Sequence, residues 1–79
     1  MNGLRMFIRP DQKGPVENAI FYSQRSSGPM YRWQYEEHVG RWHVARVGTS
    51  DLSSHELCTA SWHSVPQGLK RQLSEHYVE

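Results

Sequence analysis

Two stretches of this 79-residue chain interleave arginine with aromatic residues. Arg5-Met6-Phe7-Ile8-Arg9 places Arg5, Phe7 and Arg9 at alternate positions, and Arg32, Trp42 and Arg46 fall in a second such region. Guanidinium groups pair with phosphates, and exposed aromatic rings stack on bases. On one face of a sheet, these six side chains would form a platform for nucleic acid. The plainer alternative is arginine stems lying over a sheet while the aromatics fill its core.

Five histidines and one cysteine raise metal binding as a second chemistry. His55-x-x-Cys58-x-x-x-x-His63 is the compact cluster, with His38 or His43 as a fourth ligand. Structural zinc needs converging ligands at recognisable spacings, and this spacing is not one of them. His55-Glu56-Leu57-Cys58-Thr59 opens like a zinc-protease helix, yet Thr59 stands where the second histidine belongs. Ser53, Ser54, His55, Glu56 and Cys58 include nucleophile and base types, but catalysis requires convergence in space rather than adjacency. Glu36 and Glu37 are strand neighbours that face opposite sides, so they make no acid/base pair. Gly14-Pro15 and Gly28-Pro29 build turns, and no phosphate-binding fingerprint occurs. The expectation is a non-enzymatic chain without metal or cofactor.

The elements that would carry these residues follow from periodicity. Leu4–Arg9 alternates apolar and basic positions, the signature of a half-buried strand. Pro10 to Pro15 is dense turn chemistry, Glu17–Arg25 reads as a second strand, and Ser26-Ser27-Gly28-Pro29 closes it. Met30–Glu37 and Arg41–Val47 form a hairpin. A two-residue turn at Val39-Gly40 would force β-branched Val39 to positive φ, so the expected loop is His38-Val39-Gly40. Glu37 then pairs with Arg41, Tyr35 with His43 and Trp33 with Ala45, with Arg32, Arg46 and Trp42 together on the opposite face. A slip of one residue would exchange the faces.

Residues 49–64 are ambiguous between a helix opened by Ser53-x-x-Glu56 and a last strand over Leu57–Trp62; the alternation of Cys58, Ala60 and Trp62 favours the strand. Ser64 is the expected N-cap of a final helix with Pro66 in its first turn. Val65, Leu69, Leu73 and Tyr77 then recur every four residues as one apolar stripe. Residues 1–79 thus predict one small α+β domain: an antiparallel sheet of four to five strands, with one C-terminal helix packed on one face.

Composition narrows the partners. Aromatics make up 11% and the formal charge is only +1, which is not the profile of a disordered chain. Residues 1–48 carry a net +3 and residues 49–79 a net −2, a modest polarity rather than a strongly basic whole. A lone cysteine precludes an intramolecular disulfide, and the longest apolar run, Ala19–Tyr22, is too short for a membrane. Met1–Arg5 lacks the apolar core of a signal peptide, so the cytoplasm is the expected compartment.

Gly40-Arg41-Trp42-His43-Val44-Ala45-Arg46-Val47 resembles the second-strand segment of plant APETALA-type DNA-binding domains. That resemblance implies strands followed by a helix, with the sheet reading DNA. The residues after Val47 depart from the family pattern, and the final helix is less alanine-rich. In topology alone the chain is also similar to single-strand-binding transcription cofactors. The expected role is therefore a small binding or regulatory module that contacts nucleic acid through Arg5, Phe7, Arg9, Arg32, Trp42 and Arg46. The alternatives are a protein-interaction module, including a homo-oligomer or a small subunit, and a metal-stabilised domain.

Overall fold

Strand-forming alternation, a glycine at a turn and a four-residue apolar repeat produce a five-stranded sheet backed by one helix. A computed structural model describes residues 3–9, 19–48 and 57–78. The strands are β1 (Leu4–Ile8), β2 (Phe21–Arg25), β3 (Met30–Glu36), β4 (Arg41–Val47) and β5 (Cys58–Ala60). All pairings are antiparallel, in the order β4-β3-β2-β1-β5. A single 3-10 turn, Trp62–Ser64, leads into the helix α1, Gln67–His76. The α+β arrangement matches the sequence reading, with the fifth strand present but shorter than Leu57–Trp62. Ser53-x-x-Glu56 lies outside the described residues.

The hairpin register differs by one residue from expectation. Glu36, not Glu37, pairs with Arg41, which puts Tyr35 opposite Trp42 and Trp33 opposite Val44. Gly40 does hold positive φ, at 75°. Its N–H and that of Val39 both donate to the Glu36 carbonyl, at 2.8 and 3.1 Å, so Glu37 joins a four-residue loop. Burial explains why this register wins. Because side chains alternate across a sheet, the shift carries Trp42 and Val44 to the side that holds Trp33. Trp33 and Trp42 are then 1% and 6% exposed, a large apolar area that the expected register would have left on the other face.

The helix begins later than expected. Ser64 is no N-cap: it ends the 3-10 turn, and its hydroxyl donates to the Ser61 carbonyl at 2.8 Å. A residue before proline is pushed out of the α region, so Val65 is extended and helical geometry starts only after Pro66. The apolar stripe holds nonetheless. Val65, Leu69 and Leu73 are buried with Met6, Phe21, Trp33 and Trp42, while Tyr77 is half-buried against that core. Phe21 meets Trp42 edge-on, with ring centroids 6.0 Å apart. Trp62 is left 42% exposed, its ring 5.7 Å from the Lys70 ammonium.

One polar side chain, Ser23, is fully buried within this layer. The Trp33 indole donates to its Oγ at 2.8 Å, and the Tyr77 hydroxyl lies 2.8 Å from the same atom. No fully buried side-chain nitrogen or oxygen lacks a partner among the described residues. The Tyr77 phenol is raised above its ordinary 10.0 chiefly by burial, with a lesser rise from Tyr31; the Ser23 hydrogen bond and Arg25 oppose the shift.

Two outcomes follow. Leu69→Ala and Leu73→Ala should each cost about 2–5 kcal/mol, read as a lower urea midpoint at unchanged slope. The neutral phenol is the form favoured by the folded state, so its contribution is complete below pH 10.0 and is lost as pH rises through the higher folded value. Urea titrations at increasing pH should show this alkaline loss in the wild type, with a smaller loss in Tyr77→Phe.

Candidate nucleic-acid interface

Register assigns every strand side chain to one of two faces. Leu4, Met6 and Ile8 of β1 share the helix side with Phe21, Ser23, Tyr31, Trp33, Trp42 and Val44. The outer face, turned away from α1, carries Arg5 and Phe7 from β1 and Tyr22 and Gln24 from β2. From β3 and β4 it receives Met30, Arg32, Gln34, Glu36, Arg41, His43, Ala45 and Val47. One continuous row crosses all five strands: Thr59, Phe7, Tyr22, Arg32, Ala45.

Neighbours on this face set the positions of its arginines. The Arg5 guanidinium donates from Nη2 to Gln24 Oε1 at 2.7 Å and lies 5.7 Å from the centre of the Phe7 ring. Two contacts therefore hold an exposed, flexible side chain over a half-buried ring. Arg32 is exposed and makes no ion pair among the described residues. Arg9 follows β1 on the same alternation and is half-buried. Tyr22, between Phe7 and Arg32, is 5% exposed, so its ring supports the row instead of offering a free stacking surface. Glu36 is the outer-face carboxylate of the described strands, and its Oε1 lies 3.6 Å from His43 Nδ1. The outer face thus carries Arg5 on β1 and Arg32 on β3, with Glu36 at the hairpin end of β3.

Five of the six expected contact residues lie on strands and divide into two groups, with Arg9 just beyond β1. Arg5, Phe7 and Arg32 share the outer face. Trp42 and Arg46 do not: Trp42 is packed under α1, and Arg46, opposite Tyr31, lies exposed on the helix side. The one-residue register shift accounts for both corrections, since it reverses every side chain of β4 relative to β3. Sequence reasoning missed Gln24 and Tyr22, because their cross-strand neighbours depend on the β1–β2 register, for which no turn residue gives a signal.

Of the candidate metal cluster, Cys58 is exposed on β5 and His63 is exposed in the turn before α1, while His55 lies outside the described residues. No group of three His, Cys, Asp or Glu among the described residues is placed to hold a metal ion. Among the same residues, no helix is long and apolar enough to cross a membrane.

Because Trp42 is a core residue, Trp42→Ala should cost about 3–5 kcal/mol of folding stability, measured by urea denaturation. A variant that melts like the wild type would restore Trp42 to the surface and overturn the β4 register.

Comparison with known proteins yields no family model, no curated protein and no solved structure that matches this chain. The likeness of Gly40–Val47 to a DNA-binding segment therefore stands on that hairpin alone, and the candidate interface rests on its own geometry.

Proposed function

We propose that this protein is a non-enzymatic module that binds single-stranded nucleic acid on the outer face of its sheet. The observation that supports this is the Arg5–Phe7–Arg32 arrangement: two exposed guanidinium groups flanking a partly accessible ring, on a face that no helix covers among the described residues. Guanidinium forks bind backbone phosphates, and the Phe7 ring offers an apolar surface to a base. A single strand suits this surface better than a duplex, because its bases can turn outward onto a ring. Gln24 adds to the reading by fixing Arg5 beforehand, which lowers the entropy lost on binding. Arg9 extends the basic line beyond β1.

Fluorescence anisotropy with a labelled single-stranded oligonucleotide tests this. Three phosphate contacts predict a slope of log affinity against log salt of about −2. Arg5→Ala and Arg32→Ala should each flatten it by about 0.7. Phe7→Ala should weaken binding by about 1–3 kcal/mol and leave the slope unchanged. Arg46→Ala, on the other face, should alter neither quantity. Absence of binding at low salt by folded protein would remove the proposal and favour a protein partner for the same face.

A further inference from the structure

On the opposite side of the sheet, a groove of about 460 Å³ runs between the start of β4 and α1, with Tyr35, Trp42, Gly68, Arg71, Gln72 and Glu75 in its lining. Its size falls within the range of small-molecule sites. It owes its shape to Gln72. That side chain accepts a hydrogen bond from the Trp42 N–H at 2.8 Å and donates to the Trp42 carbonyl at 2.9 Å, fixing the helix to the exposed edge of β4. Residues 68, 71, 72 and 75 recur at helical spacing, so Gly68, Arg71 and Glu75 line the same side as this clasp.

Several donors at this end of the helix have no acceptor among the described residues. Helix α1 has no side-chain N-cap and no acidic residue in its first turn. Its first intrahelical bond is donated by Lys70 to Pro66, which leaves the N–H groups of Gln67, Gly68 and Leu69 without a helical acceptor. The Trp42 side chain is 94% buried by its 6% exposure, yet its indole N–H has no acceptor among the described residues. No fully buried side-chain nitrogen lacks a partner, so this N–H opens into the groove. Its nitrogen lies beside Gly68: a Cβ built there would meet Trp42 Nε1 at 3.7 Å, an ordinary van der Waals distance. Arg71 brings an exposed guanidinium with no ion pair among the described residues.

We infer that this groove binds the oxyanion of a small molecule, a phosphate ester or a carboxylate, held by Trp42 Nε1–H, the Gly68 amide and Arg71. Backbone N–H groups and the helix dipole favour negative charge there, and the missing side chain of Gly68 leaves room for an oxygen against the indole nitrogen. Tyr35, 36% exposed and 5.4 Å from the Trp42 ring, supplies an apolar wall for the body of the ligand. Glu75 limits the net charge of the groove and disfavours ligands with a second anionic group at its end.

Two-dimensional NMR of nitrogen-15-labelled protein tests the site, with phenyl phosphate, phenylacetate and inorganic phosphate as probes. Saturable shifts of the Trp42 indole and Gly68 amide signals are expected with phenyl phosphate or phenylacetate, and the tighter of the two identifies phosphate or carboxylate as the source. Arg71→Gln should weaken that binding about tenfold, the loss of one charge-assisted hydrogen bond. Gly68→Ala should also weaken it, because the methyl group occupies the oxygen position. Alanine favours the helix, so its melting temperature should not fall and misfolding would not explain the loss. Lack of saturable shifts with all three probes, or equal affinities in both variants and the wild type, would overturn the inference.

Discussion

The side to which Trp42 turns decides what each face of the sheet can do. With Trp42 under α1, its indole adds to the layer formed by Phe21, Trp33, Leu69 and Leu73, all essentially excluded from water. Gln72 secures the arrangement through both backbone groups of the same residue. An outermost strand leaves alternate N–H and C=O groups unpaired, a standing invitation to another strand. At Trp42 the side-chain amide of Gln72 fills that role, imitating the neighbour that β4 lacks. Helix position, strand register and edge protection therefore depend on one pair of residues.

A second constraint acts at the far end of the helix. Trp33 brings an N–H into the core and Tyr77 a hydroxyl, and either would be costly to bury without a partner. Ser23, on the strand next to Trp33, meets both with one oxygen. Such a hub has directional requirements that aliphatic packing lacks, so it fixes where α1 ends over β2 and β3. Tyr31 and His76 pack edge-on around the same point, with ring centroids 4.6 Å apart. The helix is thus held by Gln72 on β4, by leucines along its length and by Tyr77 on β2.

Much of this plan is legible in the residues. The alternation in Leu4–Ile8 and the repeat of Val65, Leu69, Leu73 and Tyr77 identify a strand and a helix through periodicity, which needs no partner to be read. Gly40 was likewise readable as the positive-φ residue of its turn. Register was not. Three- and four-residue loops both satisfy Gly40, and the local argument about Val39 cannot weigh the burial of Trp42 against a helix that begins 25 positions after it. The candidate site inherited that limit: Arg5 and Phe7 were placed correctly within one strand, whereas joining Arg32 to Arg46 and Trp42 required the register. Pro66 shows the same effect locally, since Ser64 looks like a cap until the restraint on Val65 is considered.

The two faces now differ in chemistry as well as position. On the outer face Arg5 and Arg32 are exposed and Arg5 is held from the side by Gln24, the arrangement on which the proposed contact with an extended polyanion rests. The groove beside α1 is narrow, and its donors are fixed by backbone and core packing, a geometry suited to one compact anion. The two share β4 but no described side chain of the Arg5–Phe7–Arg32 row. Communication between them would have to pass through the β3–β4 register, which the burial of Trp42 holds in place. A ligand in the groove would add to that hold by satisfying the one donor that Trp42 leaves open, so its effect on the outer face is to stiffen the sheet rather than rearrange it.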